Sequence, residues 1–150
     1  MYSSKAEKRV ALAGASITAG ATATFMIDRA GFDAVSLDVM ATTVAVAANN
    51  FSVFKVTEND TPTIGTATGI PTLTGGTAAG NFTIPNADTV VSNIQYIQSL
   101  DIDCRARKRY LFISVSPQAT QTIAMSARLR RAKQSPLTTT DQGTLLSVSG

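Results

Sequence analysis

In the stretch DCRARKRYLFISVSP, residues 103–117, four of the five positions 105–109 are basic: Arg105, Arg107, Lys108 and Arg109. Charged residues make up only 15% of the chain, so this run is concentrated chemistry. Such a cluster can neutralise phosphates, or it can grip carboxylates in two places through the planar guanidinium fork. Two more clusters accompany it, one of Lys5, Lys8 and Arg9 and one of Arg128, Arg130, Arg131 and Lys133. On a strand, Arg105, Arg107 and Arg109 would line one face, and Arg128 and Arg130 would line one face of the next. If those strands are neighbours, the two clusters merge into one positive patch. The stacking aromatics that single-stranded nucleic acid needs are not interleaved there. The expected partner is therefore an acidic protein surface, with a nucleic-acid-binding module as the alternative reading.

The remaining reactive residue types are sparse. The chain has no histidine, which removes the commonest general base and the commonest metal ligand. Its single cysteine, Cys104, cannot form an internal disulfide or a multi-thiolate zinc site, and it reads as a small buried apolar residue. Asp101 and Asp103 are two apart and share a face on a strand, where surface ion pairs with the basic run are expected. GGTAAG at 75–80 lacks dinucleotide-fingerprint spacing, and no G-K-[ST] sequence occurs anywhere. Three glycosylation sequons, at Asn50, Asn59 and Asn81, read as chance in a Thr-rich chain. The expectation is a protein with no catalytic, cofactor-binding or metal-binding residues, not an enzyme.

What would carry these groups is a single β-rich body. A chain of 150 residues is one domain by length and can bury its own core. Hydrophobic residues make up 44% and mean hydropathy is +0.12, too apolar for a disordered chain. The net charge is +3, mildly basic. KAEKRVALAGASITAGATA loosely imitates a signal peptide, but it lacks a Leu-rich run and is interrupted by Ser and Thr, so it is not read as one. No segment approaches 18 unbroken apolar residues, so no membrane span or membrane partner is expected.

Alternation with period two recurs along the chain. Ala23, Phe25 and Ile27 share a face, and so do Val35, Leu37 and Val39. In NFSVFKVTEND, Phe51, Val53 and Lys55 oppose Ser52, Phe54 and Val56. Leu111, Ile113 and Val115 form another set, as do Ile123, Met125, Ala127 and Leu129. Residues 61–88 hold three prolines and five glycines and read as a long surface loop with short strands near Thr72–Leu73 and Phe82–Ile84. Residues 3–13 are either a short helix capped by Ser4 or an extended arm or strand. This predicts an all-β sandwich of about seven to eight strands over 22–134, with an N-terminal arm at 1–21 and a C-terminal arm at 135–150. The tail carries Leu145, Leu146 and Val148, which would need something to dock on.

Three segments add a resemblance: AGFDAVSLDV (30–39), FKVTENDT (54–61) and DIDCRARKRYLFISVSP…TQTIAMSARLRRAKQSP (101–136). Together they resemble small virion proteins of tailed bacteriophages. In that family a Gly-aromatic-Asp turn leads into a strand, and a strand ending in Glu-Ser-Asp follows. An Arg-Lys-Arg-Tyr strand is then hairpin-linked to one ending in Arg-Ala-…-Pro. TEND at 57–60 departs slightly from the acidic turn. The resemblance spans roughly residues 22–136. It implies a non-enzymatic structural protein, jelly-roll-like, of the capsid decoration or cement type. Head–tail junction or tail proteins are the rival position. The implied partners are the major capsid protein and further copies of the chain, as a dimer or trimer. The implied place is the capsid surface of the virion, after synthesis in the host cytoplasm. Arg105, Arg107, Arg109, Arg128, Arg130, Arg131, Leu145, Leu146 and Val148 would form the contacts.

Overall fold

The computed structural model describes residues 7–42, 51–76, 79–84 and 96–132. Small, β-branched and aromatic residues alternating with polar ones favour pleated, half-buried chain, and eight strands form among these residues. They are β1 (Lys8–Ile17), β2 (Ala23–Asp28), β3 (Phe32–Thr42), β4 (Phe51–Asn59), β5 (Thr68–Thr74), β6 (Tyr96–Asp103), β7 (Tyr110–Pro117) and β8 (Gln121–Ala132). The only helical turn among them is a 3-10 turn at Ile64–Thr66.

The strands make two four-stranded sheets, ordered β1-β8-β3-β6 (sheet I) and β2-β7-β4-β5 (sheet II), with every strand pairing antiparallel. The fold is a β-sandwich. Its connectivity is that of one long hairpin. β4 pairs with β5 at the bend, then β3 with β6, β2 with β7 and β1 with β8. Rolling this double ribbon brings β8 against β3 and β7 against β4, which closes both sheets.

Between the sheets lies one core. Ile27, Val35, Leu37, Val39, Val56, Leu111, Ile113, Val115, Ile123, Met125 and Leu129 are all buried there. Removing each such side chain from water contributes about 1.5–3 kcal/mol before conformational entropy is charged against it. The inward sets read from alternation in β3, β7 and β8 are the ones the structure buries. β7, at the centre of sheet II, is buried on both faces. Ser114 and Ser116 look outward there, and their small hydroxyls let neighbours close over them: Thr24 bonds to Ser114 at 3.0 Å, and Ser52 donates to the Ser116 carbonyl at 3.1 Å.

The structure differs from the sequence expectation in four places. Residues 8–17, set within an N-terminal arm at 1–21 and left open between helix, arm and strand up to residue 13, form β1 and pair along β8. β1 buries Ile17 in the core, and a strand already aligned with β8 satisfies its backbone groups along that side. The 62–88 segment is less of a loop than expected, because β5 runs through it as the edge of sheet II. In β4 the register slips between Phe51 and Val53, so Phe51, Phe54 and Val56 are buried together while Lys55 is exposed. A bulge supplies the extra residue that strict alternation does not allow for. The fourth difference concerns the basic run and is described below.

Beyond β5 the chain folds back tightly. The Gly75 amide donates to the Phe54 carbonyl at 2.7 Å, and Phe82 meets Phe54 edge to face at 5.5 Å. A Cβ on Gly75 would press on the Ile84 side chain and lie 3.0 Å from the Phe54 carbonyl oxygen, so the close approach favours glycine.

Candidate docking surfaces

The basic run does not lie on a strand. β6 ends at Asp103, and the Cys104 amide then donates to the Asp33 carbonyl at 2.9 Å. The Arg107 amide closes a turn onto the Cys104 carbonyl at 3.1 Å, and β7 starts only at Tyr110. Arg105, Arg107 and Arg109 therefore sit on a turn-rich connector, where alternation along a strand no longer decides which way each side chain points.

Each basic residue of that connector has an acidic partner within the chain. Arg105 folds back on Asp103, with Nε 3.0 and 3.1 Å from the two carboxylate oxygens. Arg107 pairs with Glu58 at 3.5 Å, while the Lys108 amide donates to the other Glu58 oxygen at 3.0 Å. The Lys108 ammonium lies 3.8 Å from Asp60. Arg109 grips Asp28 in two places, at 3.0 and 2.7 Å, and its guanidinium stands 5.0 Å from the centre of the Tyr110 ring. The hydrogen bond from Arg105 holds the Asp103 carboxyl down at about 2, and the Arg109 hydrogen bond lowers that of Asp28.

One side chain that the sequence reading passed over ties this end together. Arg29, between β2 and β3, donates from Nε to the Lys108 carbonyl at 2.7 Å and from Nη1 to the Phe32 carbonyl at 3.3 Å. Its own amide donates to the Arg109 carbonyl at 3.1 Å. Gly31, with φ 83°, makes the turn that places it. Asn59 is buried and organises the neighbouring turn by donating to the Thr63 carbonyl and to Thr66 Oγ1 at 2.6 and 2.8 Å. Asn59 was legible only as a sequon residue.

Arg128 and Arg130 are placed elsewhere. They alternate on the outer face of sheet I, as the sequence predicts, but β7 and β8 belong to different sheets. The two arginine clusters are consequently not merged through neighbouring strands. Arg130 bonds Asp101 at 2.9 Å and also Ser36, and Ser36 bonds Asp101. Arg128 lies 3.6 Å from Asp38, which also accepts from Ser99 at 2.6 Å. Asp103 thus forms the expected ion pair with the basic run, whereas the partner of Asp101 is Arg130 on β8. Arg131 is exposed with φ 57°, and its charge helps to lower the Asp103 pKa. Leu145, Leu146 and Val148 lie outside the described residues, as does the C-terminal arm.

The opposite end of the sandwich is chemically different. Its described turns are 18–22, between β1 and β2, and 118–120, between β7 and β8. They contain only Thr, Ala, Gly and Gln, are mostly exposed, and are joined by Gly20 N to Pro117 O at 2.9 Å and Ala19 N to Thr120 Oγ1 at 3.2 Å. The strands obey the same polarity. Those running toward the 28–32 end carry Asp28, Glu58, Asp103 and Arg130 within their last three residues, and three of the four leaving it carry Lys8, Asp33 and, just before β7, Arg109 near their start. Asp38 and Lys55, at mid-height, mark the boundary. The described part of the molecule has one charged end and one uncharged end.

Among the described residues no group of three or more His, Cys, Asp or Glu side chains is arranged to hold a metal ion. Cys104 is fully buried, and burial pushes its thiol up to about 11. In comparisons with protein-family models, curated proteins and solved structures, nothing matches the chain.

Proposed function

We propose that the chain is a structural protein of a tailed-phage particle, a decoration or cement protein that binds and stabilises the shell of major capsid protein from the capsid surface. The observation that carries this reading is the strand order. A nested hairpin rolled into sheets 1-8-3-6 and 2-7-4-5 is compatible with a jelly roll, an architecture that viral capsid domains use. It supports the resemblance of residues 22–136 to small virion proteins. The role is one of contact between proteins, not catalysis, made after synthesis in the host cytoplasm.

The ion pairs favour a different contact. Arg105, Arg107 and Arg109 already pair with Asp103, Glu58 and Asp28, so a partner's carboxylate would have to share guanidinium groups that are in part occupied. The uncharged end has no such cost. The 18–22 and 118–120 turns carry no charge, so covering them takes no ion out of water. This end faces the shell, and the arginines hold the module's other end rigid.

Sedimentation with undecorated capsids tests both statements. Attachment is expected to persist from low to high salt and to survive Arg105→Ser with Arg109→Ser. Ala21→Glu with Gln118→Glu is expected to abolish it, while circular dichroism shows the sheet intact. Attachment lost at high salt and with the arginine variant, but kept with the glutamates, would overturn the assignment of the docking end. A chain that binds no capsid and is missing from purified particles would overturn the function.

A further inference from the structure

Sheet I ends on two long strands, β1 with ten residues and β6 with eight. Among the described residues no strand pairs with the outer edge of either. Natural sheets usually blunt such edges. Sheet II does so: β2 has only six residues, and β5 carries Pro71, which cannot donate, and pairs with a register shift. The described parts of β1 and β6 contain no proline, and β1 stays in register with β8 from Lys8 to Leu12, before its own register shift between Leu12 and Ala15.

The two edges of sheet I match each other. Lines of paired residues cross the sheet without slip: Arg9–Arg128–Ser36–Asp101 and Val10–Ala127–Leu37–Leu100. The sheet has four antiparallel strands. β1 and β6 therefore run in opposite directions, and the alternation of hydrogen-bonding direction returns in phase after the even number of strands. If β6 of one copy is set beside β1 of another along the same lines, antiparallel pairing continues without adjustment. It opposes Lys8–Leu12 to Gln98–Ile102. On the outer face Arg9 meets Asp101, whose carboxylate belongs to a side chain 77% exposed even with Arg130 bound to it. On the inner face Val10 meets Leu100, two apolar residues packed at the margins of the core and only partly buried.

We infer that sheet I continues from one copy of this chain into the next, through the outer edge of β6 and the outer edge of β1. The partner is a second copy, and the contact is head to tail. It leaves one free edge of each kind on every added copy, so it builds rings of three or more copies or an open filament. Backbone hydrogen bonds supply the adhesion, and the Arg9–Asp101 and Val10–Leu100 pairs set the register.

Two experiments on the full chain test this. Light scattering on a gel-filtration column should show wild-type assemblies larger than a dimer. Arg9→Asp and Asp101→Arg should each weaken association about tenfold or more, and the double exchange should restore it. The second experiment uses Arg9→Cys with Asp101→Cys under mild oxidation. Within one chain these positions are separated by three inter-strand spacings, about 14 Å, beyond the reach of a disulfide. Any disulfide between them therefore joins two copies, and a ladder of covalent multimers is expected on a non-reducing gel. A wild-type chain that stays monomeric at millimolar concentration, or assemblies indifferent to both charge swaps with no disulfide ladder, would overturn the inference. Thermal melts of each variant distinguish a lost edge contact from a lost fold.

Discussion

Cys104 and Arg29 show how much a single side chain depends on what surrounds it. Both stand beside the turn that follows β6, one neutral and enclosed, the other spending its donors on carbonyls of neighbouring turns. Reactive thiols need an electropositive and accessible setting, and Cys104 has none of the access. Its folded pKa of about 11 lies above the ordinary value near 9, so the neutral thiol favours the folded state. That contribution is complete below pH 9 and disappears as pH rises through 11. Native protein at pH 8 is expected to leave Ellman's reagent uncoloured, and the same protein in urea to release one equivalent. Rapid reaction of the native thiol would contradict the enclosed position. Burial of Cys104 was foreseeable from the missing histidine and the flanking acids. The role of Arg29 was not, because its acceptors are backbone carbonyls, one of them 79 positions away.

Among the elements, β3 and β8 followed their sequences closely. Val35, Leu37 and Val39 alternate with Ser36 and Asp38 because one face of β3 meets the core and the other meets solvent and ion pairs. Leu37→Ala is expected to lower stability by about 2–5 kcal/mol, as buried Leu truncations do. Met40→Ala, on the outer face of the same strand, should stay within about 0.5 kcal/mol, the usual range for surface changes. Urea melts of the two variants compare them directly, and equal losses would contradict the assignment of faces. β4 was harder to read. Its alternation is interrupted by a bulge, and a one-residue insertion exchanges inward for outward positions beyond it. β1 was harder still, since AGASI carries too little apolar contrast to separate strand from arm without its partner β8.

Across the described residues as a whole the governing feature is the division into a charged and an uncharged end. Asp28 and Asp103 have folded pKa values below the ordinary carboxylate range, because Arg109 and Arg105 hold them by hydrogen bonds. The stabilisation they provide is complete above pH 4 and is lost as pH falls through the folded values, about 2 for Asp103. Acid should therefore loosen the charged end first. Hydrogen exchange at pH 3 is expected to show protection falling around residues 104–109 while the amides of β8 remain protected. Uniform loss along the chain would contradict a localised effect. The six ion pairs among the described residues, at exposed or partly exposed sites, add little to global stability individually. Their consequence is one of availability, because guanidinium groups already held by acids of their own chain offer less to a partner.

Sequence alone determined the β class, the single core and the inward sets of β3, β7 and β8. These follow from period-two patterning, which is local and which every half-buried strand must satisfy. It also placed Arg128 and Arg130 on an outer strand face, but it set Arg105, Arg107 and Arg109 on a strand and gave none of the five its individual partner. Arg109 meets Asp28 across 81 positions and Lys108 meets Glu58 across 50. Only the rolled topology brings those segments to one end, and only there do they cancel. Which strands share a sheet, which edges remain open and which end is free of charge depend on contacts between distant segments, and no local pattern encodes them.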